Sequence, residues 1–446
     1  MDFANYVADL VASLWNLGSF LVAIVVIVTV HEFGHYIVGR WTGIQAEVFS
    51  LGFGRRLYAW TDKRGTRWQI AALPLGGFVR FKGDRDAAST LDQGTVKGLS
   101  AAETRQTMAG APLWARAATV VAGPLANFLL AFVLFAAVIL WKGVAVDIPT
   151  IGALKTVPFA APHLQLGDTI TAMEGQATPD LATFLSVADT LSDKAVVRYQ
   201  VSRLGQAVTL YGPNPLPPYA VSVLSYSAAE DVGIQSGDVI LKAEGQDIAS
   251  FSQLSTLIAA SGGAPIGLKL WRAGKTLEVT LTPRSRDLPT TDGGFETSWK
   301  IGIKGGMIFD PLVRTPSLTE AVGVAWQQGW DMTKVNLTAV PEMVSGKIST
   351  CNLSSPINMA GAFGVAARSG WGSFVNLLAL VSLSIGLFNL FPIPVLDGGW
   401  LVFFGYEAIT GRKPNARATQ VLTVIGVALL IALMLLAVLN DLIRCV

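Results

Sequence analysis

The sequence predicts a polytopic α-helical membrane protein with four transmembrane helices, a small β-sheet and two inserted copies of an α+β unit. Three observations predict it. The chain is 51% hydrophobic and only 14% charged over 446 residues, well short of the roughly 25% charge of soluble domains. Four runs reach the roughly 20 apolar residues that cross a bilayer: Leu14–Val38, Ala117–Trp141, Phe374–Leu396 and Val421–Leu439. Between the second and third runs, a ten-residue pattern occurs twice, seventy positions apart, which marks an internal repeat.

The first run carries the stretch around which the chain is organised, His31-Glu32-Phe33-Gly34-His35. Residues four apart share a helix face, so both imidazoles can hold one zinc. Glu32 is then close enough to polarise a water on that metal. Two of the three histidines in the chain fall here. Ionisable groups at membrane depth are costly, and they are functional by default.

Basic residues orient the spans. From Arg40 to Arg116 there are twelve Lys or Arg against six Asp or Glu, and Arg412, Lys413 and Arg417 follow the third span. The positive-inside rule places both loops in the cytoplasm. Asp2 and Asp9 precede any Lys or Arg, which sets the N-terminus outside and argues against a cleaved signal peptide. Residues from Gly143 to about Gly370, and the C-terminus, then lie outside. Cys351 and Cys445 share that oxidising side and can pair, although two cysteines make no disulfide framework. The net charge of +2 gives no reason to expect a nucleic-acid partner.

After the first span, Gln45–Gly54 reads as a strand, and Arg56–Thr61 with Arg67–Ala72 as a hairpin around Asp62-Lys63-Arg64-Gly65. In Pro74-Leu75-Gly76-Gly77-Phe78-Val79-Arg80-Phe81, paired glycines permit close backbone approach. This stretch is either an edge open to an extended peptide or one more hairpin. Asp84–Thr107 reads as a polar surface loop. In the second span, Gly123 and Asn127 of Gly-Pro-Leu-Ala-Asn share a face, which suits close helix packing; Asn127 can alternatively orient a ligand.

The repeat is Gly167-Asp168-Thr169-Ile170 followed by Glu174-Gly175-Gln176, then Gly237-Asp238-Val239-Ile240 followed by Glu244-Gly245-Gln246. Each copy reads as strand, turn, strand, helix and hairpin, and resembles the PDZ fold. His163 reads as a loop histidine of the first copy. Ser317-Leu318-Thr319-Glu320 is a capping box opening an amphipathic helix with Val322, Trp326 and Trp330. That helix lies either on the membrane surface or against the second copy. The third span ends in Asn389-Leu390-Phe391-Pro392-Ile393-Pro394-Val395-Leu396-Asp397-Gly398-Gly399. Prolines two apart stop a helix, and unwound backbone at membrane depth lines cavities. Asp397 therefore supplies the third ligand that the histidine pair lacks, since catalytic zinc usually takes three protein ligands.

His-Glu-x-x-His in span one, Asn-x-x-Pro-x-Pro-x-x-Asp-Gly in span three and the tandem copies between spans two and three resemble the site-2 proteases. These are intramembrane zinc metalloproteases, and the chain is most similar to their bacterial regulator-of-sigma-E subgroup. The resemblance implies four transmembrane helices, a small membrane-dipping β-sheet and two inserted PDZ domains. It implies zinc on His31, His35 and Asp397, and Glu32 as the catalytic acid/base. It places Asn389, Gly76, Gly77, Phe78, Pro392 and Pro394 at the substrate. The implied substrates are single-pass membrane proteins already trimmed outside, such as anti-sigma factors and signal-peptide remnants, in a bacterial inner membrane. The PDZ pair would face the periplasm, as would both termini, and the site would lie near the cytoplasmic side. Ser355 stands where the family often has glycine in Ser-Gly-Pro-Ile.

The expected layout is span one at 1–39, the β-loop region at 40–112 and span two at 113–142. The PDZ copies follow at 143–213 and 214–285, then an amphipathic region at 286–370, span three at 371–400, a loop at 401–417 and span four at 418–446. Two other classes fit parts of this pattern. A zinc transporter would not need Glu32 between the histidines, and a PDZ module on membrane anchors would not need the ligand set.

Overall fold

The computed structural model describes residues 3–84, 99–159, 163–224, 227–290, 294–350 and 353–443. Cys351, Cys445 and most of the polar 84–107 stretch lie outside the described residues. The chain divides into two compact units, residues 1–138, 321–337 and 355–439 in one and the intervening segments in the other.

The first unit contains seven long helices or parts of them: α1 (Phe3–Trp41), α2 (Leu113–Lys142), α3 (Leu318–Val344), α4 (Pro356–Arg368), α5 (Trp371–Asn389), α6 (Asp397–Thr410) and α7 (Ala416–Ile443). Four of them, at Leu10–Trp41, Leu113–Lys142, Trp371–Asn389 and Ala416–Asp441, are long and apolar enough to cross a membrane. The third expected span therefore ends seven residues early. Helical bonding stops where Pro392 and Pro394 remove backbone donors, and Val395 is held at φ 120°.

α1 packs on α4 and α5 through Ala23, Ile27, Phe363, Phe374 and Leu378. Ser355, which stands where the family often has glycine, caps α4: its hydroxyl accepts the Ile357 N–H at 3.0 Å, a stabilising N-cap that glycine would lack. The middle of α3 packs on other helices of the first unit, an arrangement that neither expectation for the amphipathic helix named. Trp326 stacks on Phe132 of α2 at 5.2 Å, Gln328 donates to Asn376 of α5 at 3.3 Å, and Asn336 donates to Ser384 at 3.2 Å. Both polar bonds span 48 positions, so α3 and α5 run parallel, side by side.

Strands β1 (Ala46–Thr61) and β2 (Arg67–Phe81) form a curled antiparallel sheet. Residues around Val48–Leu51 pair on both edges, with Arg67–Ile70 on one side and Gly77–Arg80 on the other. The connecting turn is fixed by Asp62, whose carboxylate accepts the N–H groups of Arg64 at 2.8 Å and Thr66 at 3.0 Å. Gly65 supplies the φ of 85° that the turn demands.

In the second unit, two four-stranded sheets repeat one order. In each, a short strand (Gln176–Ala177 or Gln246–Asp247) flanks the Gly-Asp strand, which pairs with a two-strand hairpin. Each is closed by one helix, Leu181–Thr190 or Phe251–Ala260, capped by Asp180 or Ser250. The repeated residues hold matching parts. Arg203 grips Asp168 through two bonds of 2.8 Å, as Arg272 grips Asp238 at 2.7 and 2.6 Å. Glu174 accepts the Arg198 N–H and Glu244 the Gly267 N–H. His163 is an exposed loop residue whose carbonyl accepts from Arg203.

Strands that follow residue 285 pair with both copies. Ile303–Lys304 pairs with Ser222–Val223 of the second copy. Phe309–Pro311 then returns to Ile151–Leu154 of the first, and Val313–Arg314 to Val144–Ala145. Ile308 and Phe309 are buried in the first core and Ile301 in the second. The second copy is thus inserted within the first, because its exit segment supplies apolar side chains that the first core needs.

Burial raises the Asp168 carboxyl, but the bonds from Arg203 and the Gln165 N–H outweigh it and hold the group below the ordinary aspartate range. A depressed carboxylate stabilises the fold above its unfolded value, about 3.9, and that contribution is lost as pH falls through the lower folded value. Asp168→Asn is therefore expected to lower the unfolding midpoint at pH 7 and to flatten the fall in midpoint below about pH 4. Thermal unfolding of both proteins across pH checks this.

Candidate metal centre

α1 brings His31 and His35 onto one face, and the break after α5 delivers Asp397 as the first residue of α6. The 362 positions between His35 and Asp397 close to a hydrogen-bond length. The two Nε2 atoms stand 3.1 Å apart, and Asp397 Oδ2 lies 3.2 Å from His31 Nε2 and 3.5 Å from His35 Nε2. The ligand atoms all fall within 4.8 Å of one another.

Neighbouring bonds say what these atoms carry. His35 Nδ1 is 2.9 Å from the Thr119 carbonyl, which can only accept, so Nδ1 carries a proton and Nε2 is the nitrogen that faces His31 and Asp397. Asp397 Oδ2 is buried, with the two imidazole nitrogens as its near polar neighbours. Two imidazole nitrogens and a carboxylate oxygen this close are held together by a positive charge between them, a proton or a metal ion. Two imidazole nitrogens and one carboxylate oxygen, with a position left open, are the donor set of a catalytic zinc site. The residues fit that metal.

Glu32 shares with these three residues a cavity of about 240 Å³, also lined by Gly77, Phe78, Val79, Asn389 and Arg116. Its Oε2 accepts the Val79 N–H of β2 at 3.0 Å. The edge of β2 that is not paired with β1 therefore faces the carboxylate. Gly76, Pro392 and Pro394 lie outside the lining. Gly76 makes room for the Phe53 ring, and Pro394 backs Gly399 and Gly426.

Residues 19–433 match peptidase family M50. The chain belongs to that family, the site-2 proteases. It is 33% identical over 428 residues to the Agrobacterium fabrum protein named "Putative zinc metalloprotease Atu1380", covering 95% of this chain and 94% of that one. It is 32% identical over 461 residues to the regulator of sigma-E protease RseP of Salmonella typhimurium strain 14028s and to that of Escherichia coli K12, in each case across 96% of this chain and 98% of the relative. The M50 chain is a zinc-dependent metalloprotease.

Three groups of this M50 peptidase do more at the site than the sequence reading assigned to them. Arg116, seen only as the bracket of a span, makes a double ion pair with Glu407 of α6 at 2.6 and 3.0 Å. Its guanidinium also lies over the Phe404 ring, tying α2 to the helix that begins with Asp397. Gly123 is pressed against both imidazoles: a Cβ there would collide with His35 Nε2 and come within 2.9 Å of His31 Cε1. Val79 contributes only backbone, which no sequence signal marks.

Proposed function

We propose that this M50 peptidase cuts peptide bonds inside the transmembrane segments of membrane proteins that have already been trimmed on their outer side. The observation that carries the proposal is the meeting of His31, His35 and Asp397 beside Glu32 in one cavity among membrane-length helices. His31, His35 and Asp397 hold the zinc, which supplies Lewis acidity when bound, acidifying water and polarising a carbonyl. Glu32 takes a proton from the attacking water and later returns it to the leaving amine. Val79 N–H orients that carboxylate from behind.

A substrate helix hides its amides in its own bonds and must unwind to be cut. The free edge of β2 at Gly76, Gly77 and Phe78 offers replacement pairing, where orphan amides otherwise cost several kcal/mol. Asn389 holds the substrate near the metal. Pro392 and Pro394 shape the unwound backbone before Asp397, so that Asn389 and Asp397 face the cavity together. The two sheet-and-helix copies are read as tandem PDZ domains, exposed to the periplasm with both termini, and limit entry to trimmed proteins. Anti-sigma factors and signal-peptide remnants in a bacterial inner membrane are the substrate class, which puts the enzyme in regulated intramembrane proteolysis and envelope stress responses.

The test uses purified protein in lipid vesicles with a fusion carrying one transmembrane segment, the cut being mapped by mass spectrometry. Cleavage within the segment, abolished by a zinc chelator and faster after the outer domain is removed, is expected. A cut confined to the soluble part, or one indifferent to chelation, would overturn the reading.

A further inference from the structure

The side chain of Asn127 is fully buried between α1 and α5. Its backbone carbonyl accepts the Ser382 hydroxyl at 2.9 Å, and its Cβ sits 3.2 Å from the Cβ position of Gly386. The carboxamide is thereby held against His31, its Nδ2 placed 3.3 Å from Nδ1. The amide oxygen is buried and engaged by nothing. The two ends of a carboxamide exchange by a half-turn, and their assignment follows the hydrogen-bond network.

For His31 to offer Nε2 as a lone pair beside that of His35, its proton must sit on Nδ1, and a buried N–H needs an acceptor. Thr119 O meets this need for His35. Turned by that half-turn, the carboxamide brings Oδ1, which has no other partner, to the place 3.3 Å from His31 Nδ1. We infer that Asn127 is a positioning residue of the metal site: its Oδ1 accepts from His31 Nδ1–H and fixes the tautomer and ring orientation in which Nε2 binds zinc. The inference rests on the proposed role of His31 as a ligand. It converts the Gly-Pro-Leu-Ala-Asn stretch from a packing motif into two parts of one device, Gly123 clearing space for the rings and Asn127 aiming one of them.

Outer partners of ligand histidines typically govern metal affinity by about 10–100-fold. The experiment measures zinc affinity of the full chain in detergent by chelator competition, and the unfolding midpoint of the metal-free protein. Asn127→Leu keeps the shape and removes the acceptor; it is expected to weaken zinc by about 10–100-fold without shifting the metal-free midpoint. Asn127→Asp restores an acceptor and is expected to bind zinc at least as tightly as wild type. Wild-type affinity in the leucine variant, or an equal loss in the aspartate variant, overturns the inference. If the leucine variant fails to fold, the aspartate variant decides alone by the same criterion. His31→Ala separates the two claims: full zinc binding there overturns the ligand assignment itself, whereas its loss beside an unaffected Asn127→Leu overturns only the role of Asn127.

Discussion

Replacing Glu32 by glutamine is expected to lower cleavage by about 10²- to 10⁴-fold, the usual contribution of a general acid–base group, while zinc content stays at the wild-type level. Glutamine keeps the shape of the side chain and an oxygen that can accept the Val79 N–H, so β2 and the cavity wall keep their anchor. What it lacks is a basic site for the proton of water. The convergence of His31, His35 and Asp397 does not involve Glu32, so metal retention should be untouched. Elemental analysis of the purified variant, run beside the cleavage assay, distinguishes the possible roles. Undiminished cleavage removes Glu32 from the chemistry. Loss of zinc together with activity makes it a structural or ligating group instead.

Gly123→Ala is expected to strike the metal rather than the chemistry. Its added methyl falls on His35 Nε2 and Cε1 and crowds His31 Cε1, and neither ring can retreat freely. His35 is held by the Thr119 carbonyl, and α1 is packed against α2 where a Cβ on Gly34 would meet the Ala122 backbone. Overpacking of this kind costs about 1–3 kcal/mol. Directed onto ligand atoms, that corresponds to a loss of about 5- to 150-fold in zinc affinity, with cleavage falling in parallel at limiting metal and recovering at high zinc. Unchanged affinity would show that the rings have a second arrangement competent for binding.

The parts of the site that could be read from sequence were those set by short-range geometry. His31, Glu32 and His35 lie on one helical turn, where spacing alone fixes direction. Asp397 was legible because two prolines announce a break and a histidine pair without a third ligand asks for one. Asn127 and Arg116 were not legible in the same way. Their partners lie 96 and 291 positions away, and burial, which sequence does not display, is what makes their bonds informative. The repeat was visible because glycine turns and the Asp–Arg grip recur at fixed offsets. Its nesting was hidden because the returning strands Ile303–Lys304 and Phe309–Pro311 are two and three residues long, too short for any alternation to show. The end of the third span was misplaced for a related reason: apolar content continues through Leu390–Leu396, but the missing proline donors end the helix at Asn389.

The pairing of Val144–Ala145 with Val313–Arg314 has a mechanical meaning. Paired strands lie about 5 Å apart, so the polypeptide enters and leaves the two copies at neighbouring points. Drawing the two ends of the insertion apart therefore means breaking the bonds of that strand pair. The insertion is tied a second time to the chain that follows it, where the Ser349 N–H donates to Asp287 at 2.6 Å.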